Sequence, residues 1–181
     1  MNYHISHKTK TINAEITLVA SKSLSNRALI IQALSSTPFK IHNLSTSKDT
    51  QLLHKALQTK SDTIDVGDSG TAFRFLTAFL ACKQGDYTLT GSERMKERPI
   101  KELVSALKEL GADIKYLEKE GYPPLKIKGK SIEGGNVSVD ASISSQFISA
   151  LLLIAPSLKQ GLTITLEGDI LSLPYIKMTS E

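Results

Sequence analysis

The chain has 181 residues, 40% hydrophobic and 22% charged, with a formal net charge of +4. That composition fits a globular protein with a sizeable core and excludes intrinsic disorder, and the mild, scattered positive charge does not require nucleic acid. The most apolar stretch, FISALLLIAP, is about half the length needed to span a bilayer, and a single cysteine, Cys82, leaves no internal disulfide.

In chain order, the N-terminus MNYHISHKTK has no apolar run, so secretion and membrane insertion are not expected and a reducing cytoplasm is. TINAEITLVA then reads as a strand that precedes everything resembling a repeat. Residues 1–15 are therefore assigned to an N-terminal strand of another domain, and residues 16–181 to one domain without a strong linker signal.

SKSLSNRALI follows, with a lysine, three serines, an asparagine and an arginine ahead of an apolar helix. Serine and asparagine suit helix caps, because their side chains accept from free first-turn N–H groups. Ser23 and Arg27 lie four residues apart on one helical face, and Lys22 sits at the positive end of the macrodipole, where a cation is disfavoured. An anion bound there would resolve the conflict.

Three segments share one order of parts: SKSLSNRALIIQALSSTPFKIHNL, GDSGTAFRFLTAFLACKQGDYTLTG and SISSQFISALLLIAPSLKQGLTITLEG. Each reads as a polar loop, an apolar helix, a break and a strand, and each is followed by a polar stretch that starts another helix. The first two run on into strands: DTIDV after the first, and ADIKYLEKE, PLKIKG and NVSVD after the second. The fold class is α/β (α+β), with repeated βαβαββ units related by pseudo-threefold symmetry and the third unit cut short at Glu181.

The polar clusters fall at the same point of each unit: Lys22 and Ser23, Gly67 to Thr71, and Ser144 to Gln146. Packed with threefold symmetry, those helix N-termini converge on an anion such as phosphate or carboxylate. Each cluster alone is weak. GDSGT lacks the lysine–hydroxyl pair of a P-loop, SSQ is an ordinary cap, and ERMKERPI is a basic turn in which Pro99 suits a first helical position. Arg27 and Arg74 are harder to explain, since an unpaired guanidinium inside an apolar helix is costly. Cys82, in the helical pattern AFRFLTAFLAC, reads as a small buried hydrophobe.

Taken together, SKSLSNRAL, GDSGTAFRFL, RMKERPI, SSQFISALLLIAP and GDILSLPYI resemble the enolpyruvyl transferases, most closely the branch that acts on shikimate 3-phosphate. The resemblance covers nearly the whole chain and implies a fold of two similar domains, each of three βαβαββ units, with substrates between them. This chain would be the first domain, incomplete and inactive alone, because the main acid/base carboxylates come from the second. By resemblance, Lys22, Gly70, Arg98 and Gln146 would bind phosphoenolpyruvate, with Lys22 positioning it for catalysis. Ser23, Arg27, Ser144, Ser145, Gln146, Ser172 and Tyr175 would bind shikimate 3-phosphate. The implied reaction moves the enolpyruvyl group to the 5-hydroxyl and releases phosphate, with no metal or organic cofactor. The full-length enzyme would be a cytoplasmic monomer with no nucleic-acid or membrane partner, and the fragment would self-associate through exposed apolar surface.

Asp68 stands where the family often has asparagine, and Leu173 where the SKPY version has lysine. Two other readings compete. The sister transferase that takes a UDP-amino sugar uses a cysteine on a mobile loop, whereas Cys82 lies in an apolar helix. A non-catalytic anion- or RNA-binding module should interleave exposed aromatics with a basic stripe, and aromatics are 6% here.

Overall fold

Ser21 starts the first helix: its hydroxyl accepts from the Leu24 amide at 3.4 Å, and α1 runs Lys22–Leu34 in the computed structural model, which describes residues 3, 4, 6–9, 11 and 13–181. Ser47 caps α2 (Lys48–Gln58) in the same way. After the short strand β1 (Thr63–Asp65), Ser69 caps α3 (Gly70–Cys82). There follow β2 (Gly85–Thr90), the single turn α4 (Glu93–Lys96), α5 (Lys101–Glu109), β3 (Asp113–Tyr116) and β4 (Leu125–Gly129). The last part comprises β5 (Gly135–Asp140), α6 (Ser145–Ile154) capped by Ser144, β6 (Leu162–Glu167) and α7 (Leu173–Ser180).

Four strands form one sheet in the order β1-β2-β4-β3, with β1 and β2 parallel and the other pairs antiparallel. Its register stacks Ile64 beside Leu89, Leu89 beside Leu125, and Ile127 beside both Tyr87 and Ile114. All are buried, so alternation along each strand supplies one apolar face, which packs against α3 and α5. Each such side chain contributes about 1.5–3 kcal/mol by leaving water. The run β1-α3-β2-α5-β3-β4 is one complete βαβαββ unit. The second sheet, parallel β5 and β6, is joined through α6 and followed by α7.

Helices α3 and α6 are apolar on nearly every side, the pattern of helices that lie inside. They pack on each other and on α1. All three point the same way: Lys22, Ser23, Thr71, Ser145 and Gln146, from their N-terminal turns, line one cavity, whereas Leu34, Cys82 and Ser157, at or just beyond their C-terminal ends, line another. Gly129 of β4 meets the end of α3 so closely that a Cβ there would stand 1.8 Å from the Lys83 carbonyl oxygen.

Three local expectations differ from the structure. FKIHNL alternates like a strand, yet residues 38–44 form none. With no neighbour to pair with, the Phe39 carbonyl instead accepts from the Gln32 side chain at 2.6 Å. Within the expected N-terminal strand, Met1, Asn2, Ile5, Lys10 and Ile12 lie outside the described residues, while residues 13–20 carry no strand and leave Ile16, Leu18 and Val19 exposed. Pro99 precedes α5 rather than opening it, because the helix begins at Lys101 after Ile100, whose amide bonds the Gly121 carbonyl.

Candidate functional site

The polar residues that open α1 divide by what they touch. Lys22 Nζ donates to Oδ2 of Asp49 at 2.8 Å, across to the first turn of α2. Ser25 Oγ accepts from the Ser45 amide at 2.9 Å, and Asn26 Oδ1 from the Thr50 hydroxyl at 2.8 Å. These last two are tertiary tethers, not caps, and both residues are buried.

Arg27 is 6% exposed and spends most of its donors inside the protein. Nε donates to the Thr179 hydroxyl at 2.7 Å, Nη1 to the Ser23 carbonyl at 3.1 Å, and Nη2 to the Ser149 hydroxyl at 2.8 Å and the Tyr175 carbonyl at 2.9 Å. The guanidinium also lies over the Phe75 ring, 5.5 Å from its centre. Burial lowers its pKa, with Tyr175 acting in the opposite sense. Of its five N–H groups, one on Nη1 is left for a ligand.

Around these ends lies a cavity of about 260 Å³. Lys22, Ser23 and Arg27 reach it from α1, Thr71 and Phe75 from α3, Ser145 and Gln146 from α6, and Ser172 and Tyr175 from the start of α7. The N-termini of α1, α3 and α6 thus give it free amides and positive dipole ends. Ser172 adopts φ 55°, the left-handed conformation uncommon for residues other than glycine.

Beside the cavity, two more guanidiniums crowd Gly70: a Cβ there would stand 2.6 Å from Nη1 of Arg74 and 2.7 Å from Nη1 of Arg98. Arg74 also donates to Gln146 Oε1 at 3.2 Å and lies over the Phe147 ring. Its Nε is buried with no hydrogen-bond partner. Burial and the neighbouring Arg98 pull its pKa down to about 10, which leaves it cationic at neutral pH. Among the described residues, Arg27, Arg74 and Arg98 form no salt bridge. Such a group of cations with an orphaned buried donor is suited to an anion that carries several acceptor oxygens.

Of the residues singled out from sequence, Lys22, Ser23, Arg27, Ser145, Gln146, Ser172 and Tyr175 line the cavity. Gly70 and Arg98 stand together beside Arg74, and Ser144 caps α6 by accepting from the Gln146 amide at 3.3 Å. Asp68 turns to the Ser92 hydroxyl at the start of α4, and Leu173 opens α7 half-exposed. Sequence reasoning had Thr71 only as the end of the polar run Gly67 to Thr71 and missed Phe75, although their i, i+4 spacing places the two on one face. It left Arg74 without a role, although a guanidinium on a helix as apolar as α3 was itself a signal.

A family model described as EPSP synthase (3-phosphoshikimate 1-carboxyvinyltransferase) matches residues 6–59 and 54–181. The chain is 51% identical over 179 residues to the 3-phosphoshikimate 1-carboxyvinyltransferase of Bacteroides fragilis (strain YCH46), an alignment covering 99% of this chain and 43% of that protein. With its counterpart from Colwellia psychrerythraea (strain 34H / ATCC BAA-681) it shares 46% over 194 residues, covering 93% and 46%. The chain therefore spans under half the length of these curated relatives. The structure of EPSP synthase from Acinetobacter baumannii superposes with a TM-score of 0.77 at 19% identity, covering 90% of this chain and 42% of that one, so it shares the fold.

Proposed function

The chain belongs to the EPSP synthase family, and from that premise we propose that it supplies one wall of the site where an enolpyruvyl group passes from phosphoenolpyruvate to shikimate 3-phosphate. The observation that carries the proposal is the meeting of three helix N-termini with the Arg27, Arg74 and Arg98 guanidiniums, none of which forms a salt bridge among the described residues. Both substrates are polyanions, and such a site complements them without a metal or cofactor.

Lys22, Gly70, Arg98 and Gln146 take phosphoenolpyruvate, and Arg74 joins them through its contact with Gln146. Ser23, Arg27, Ser144, Ser145, Gln146, Ser172 and Tyr175 take shikimate 3-phosphate, Arg27 through its one spare N–H. In the reaction the methylene carbon is protonated as the 5-oxygen bonds to C2, giving a tetrahedral adduct. Loss of a methyl proton and cleavage of the C2–O bond to phosphate then restore the enol and release phosphate. The cations of this wall bind the negative charge of both substrates and of the departing phosphate.

Residues 16–181 belong to the first of the two domains. The proton donor and base come from the second domain, so these 181 residues bind shikimate 3-phosphate weakly without turning over, because excluding water and placing a proton donor need the other wall. The full-length protein is a cytoplasmic monomer, and the isolated chain self-associates through exposed residues such as Ile16, Leu18 and Leu171.

The test is phosphate release from both substrates, measured with the full-length gene product and with this chain alone. Release by the former only is expected, alongside calorimetric binding of shikimate 3-phosphate to the latter. No transfer by the full-length protein overturns the function, and steady turnover by the chain alone overturns the division between domains.

A further inference from the structure

Asp49 stands apart from the other charged groups of this region: it is a carboxylate held beside a site otherwise furnished with cations. It does not line the cavity. Its Oδ2 instead accepts from Lys22 Nζ, 2.8 Å away, and Lys22 does line the cavity. We propose that Asp49 is a positioning residue: it holds the Lys22 ammonium over the cavity mouth for phosphoenolpyruvate, acting on the substrate through Lys22 alone. The inference rests on the function proposed above.

Lys22 is in the first turn of α1, where the macrodipole repels a cation, and its four-carbon stem is free to swing into water. The neighbouring N-termini of α3 and α6 push it the same way. The opposing pull comes from Asp49, which is well placed to give it. A carboxylate in the first turn of α2 is favoured by that helix's own dipole, and the Ser47 cap fixes the turn.

Partial burial alone would raise the Asp49 carboxyl, but hydrogen bonding to Lys22 and Ser69 and the charges of Lys22 and Arg98 bring it below the ordinary value. Ser69 is the N-cap of α3, so the groups that lower the Asp49 carboxyl include one from the N-terminus of α1 and one from that of α3. The pair itself is too exposed to matter much for stability, with side-chain exposures of 49% for Lys22 and 28% for Asp49. Its placement accounts for it better than its strength does.

The test uses the full-length gene product with Asp49→Asn, Asp49→Glu, Lys22→Met and the Lys22→Met/Asp49→Asn pair. Asp49→Asn keeps the shape and removes the charge. The KM for phosphoenolpyruvate is expected to rise about tenfold, with the KM for shikimate 3-phosphate and the melting temperature nearly unchanged. Asp49→Glu restores most of the loss, and in the Lys22→Met background Asp49→Asn adds nothing. Equal rises in both KM values, a fall in melting temperature with unchanged kinetics, or additive effects in the double variant would each overturn the inference while leaving the function standing. Absence of transfer by the unaltered full-length protein would remove the function and this inference together.

Discussion

Nη2 of Arg27 donates to the Ser149 hydroxyl at 2.8 Å, joining α1 to α6 across 122 positions of sequence. With its bonds to Thr179 and the Tyr175 carbonyl, the same guanidinium also fastens α7. Arg27 is thus a staple as well as a ligand group, which the sequence reading did not anticipate.

Arg27→Ala is therefore expected to lower stability by about 3 kcal/mol, because it deletes charge-assisted bonds and strands the Ser149 hydroxyl without that donor. A urea titration followed by circular dichroism reads this directly, and α7 should become protease-sensitive first. An unchanged midpoint would show that the four bonds contribute nothing net.

Gly70→Ala should behave differently. The new methyl would sit 2.6 Å from the Arg74 Nη1 and 2.7 Å from the Arg98 Nη1, and both atoms are far ends of flexible side chains. The fold survives while the guanidiniums move aside, so the KM for phosphoenolpyruvate in the full-length protein should rise about tenfold, and that for shikimate 3-phosphate much less. Equal rises would indicate a distorted loop.

At Gly129 the obstacle is backbone. A Cβ would lie 1.8 Å from the Lys83 carbonyl oxygen and 2.3 Å from that of Leu80, so Gly129→Ala must push β4 away from the end of α3. A loss of about 3 kcal/mol is expected, seen as a lower urea midpoint. Retention of full stability would mean that the strand can shift freely.

Cys82 supplies a pH dependence. Burial pushes its thiol up to about 11 from 9.0, with Ser157 opposing. A raised folded-state pKa means that the stability tied to the protonated thiol is complete below about 9 and is lost as pH rises through about 11. Alkylation by iodoacetamide at pH 7.5 should be slow in the native protein and fast in urea. Cys82→Ser should remove the alkaline loss of stability between those two pH values, and a loss identical in both proteins would assign it to other groups.

Strands β2 and β4 were legible because alternation and partner were both supplied: Tyr87 and Leu89 face Ile127 and Leu125 in register. FKIHNL has the same alternation and no partner, and alternation cannot report pairing. The site was legible where a residue is odd for its helix, as Lys22 is at a positive end or Arg27 among apolar neighbours. It was illegible where two ordinary residues meet. Nothing local in Ser25 or Asn26 names Ser45 or Thr50, which lie 20 and 24 positions away, so groups read as caps became tethers. Asp49 was overlooked for the same reason, since a first-turn acid looks sufficient as a response to its own helix.

The tethering of α7 by Arg27 also bears on synthesis. Thr179 follows Arg27 by 152 positions, so at about 5–20 residues per second a ribosome makes α1 roughly 8–30 s before the last of its partners exists. During that interval the guanidinium has only Ser23 of α1 and solvent to satisfy it, and later Ser149. Helix α1 is completed only when α7 has been made. Contacts this distant in sequence are slow to close, so a nascent chain spends its early life with the α1 end of the core open, the stage at which a chaperone would find it.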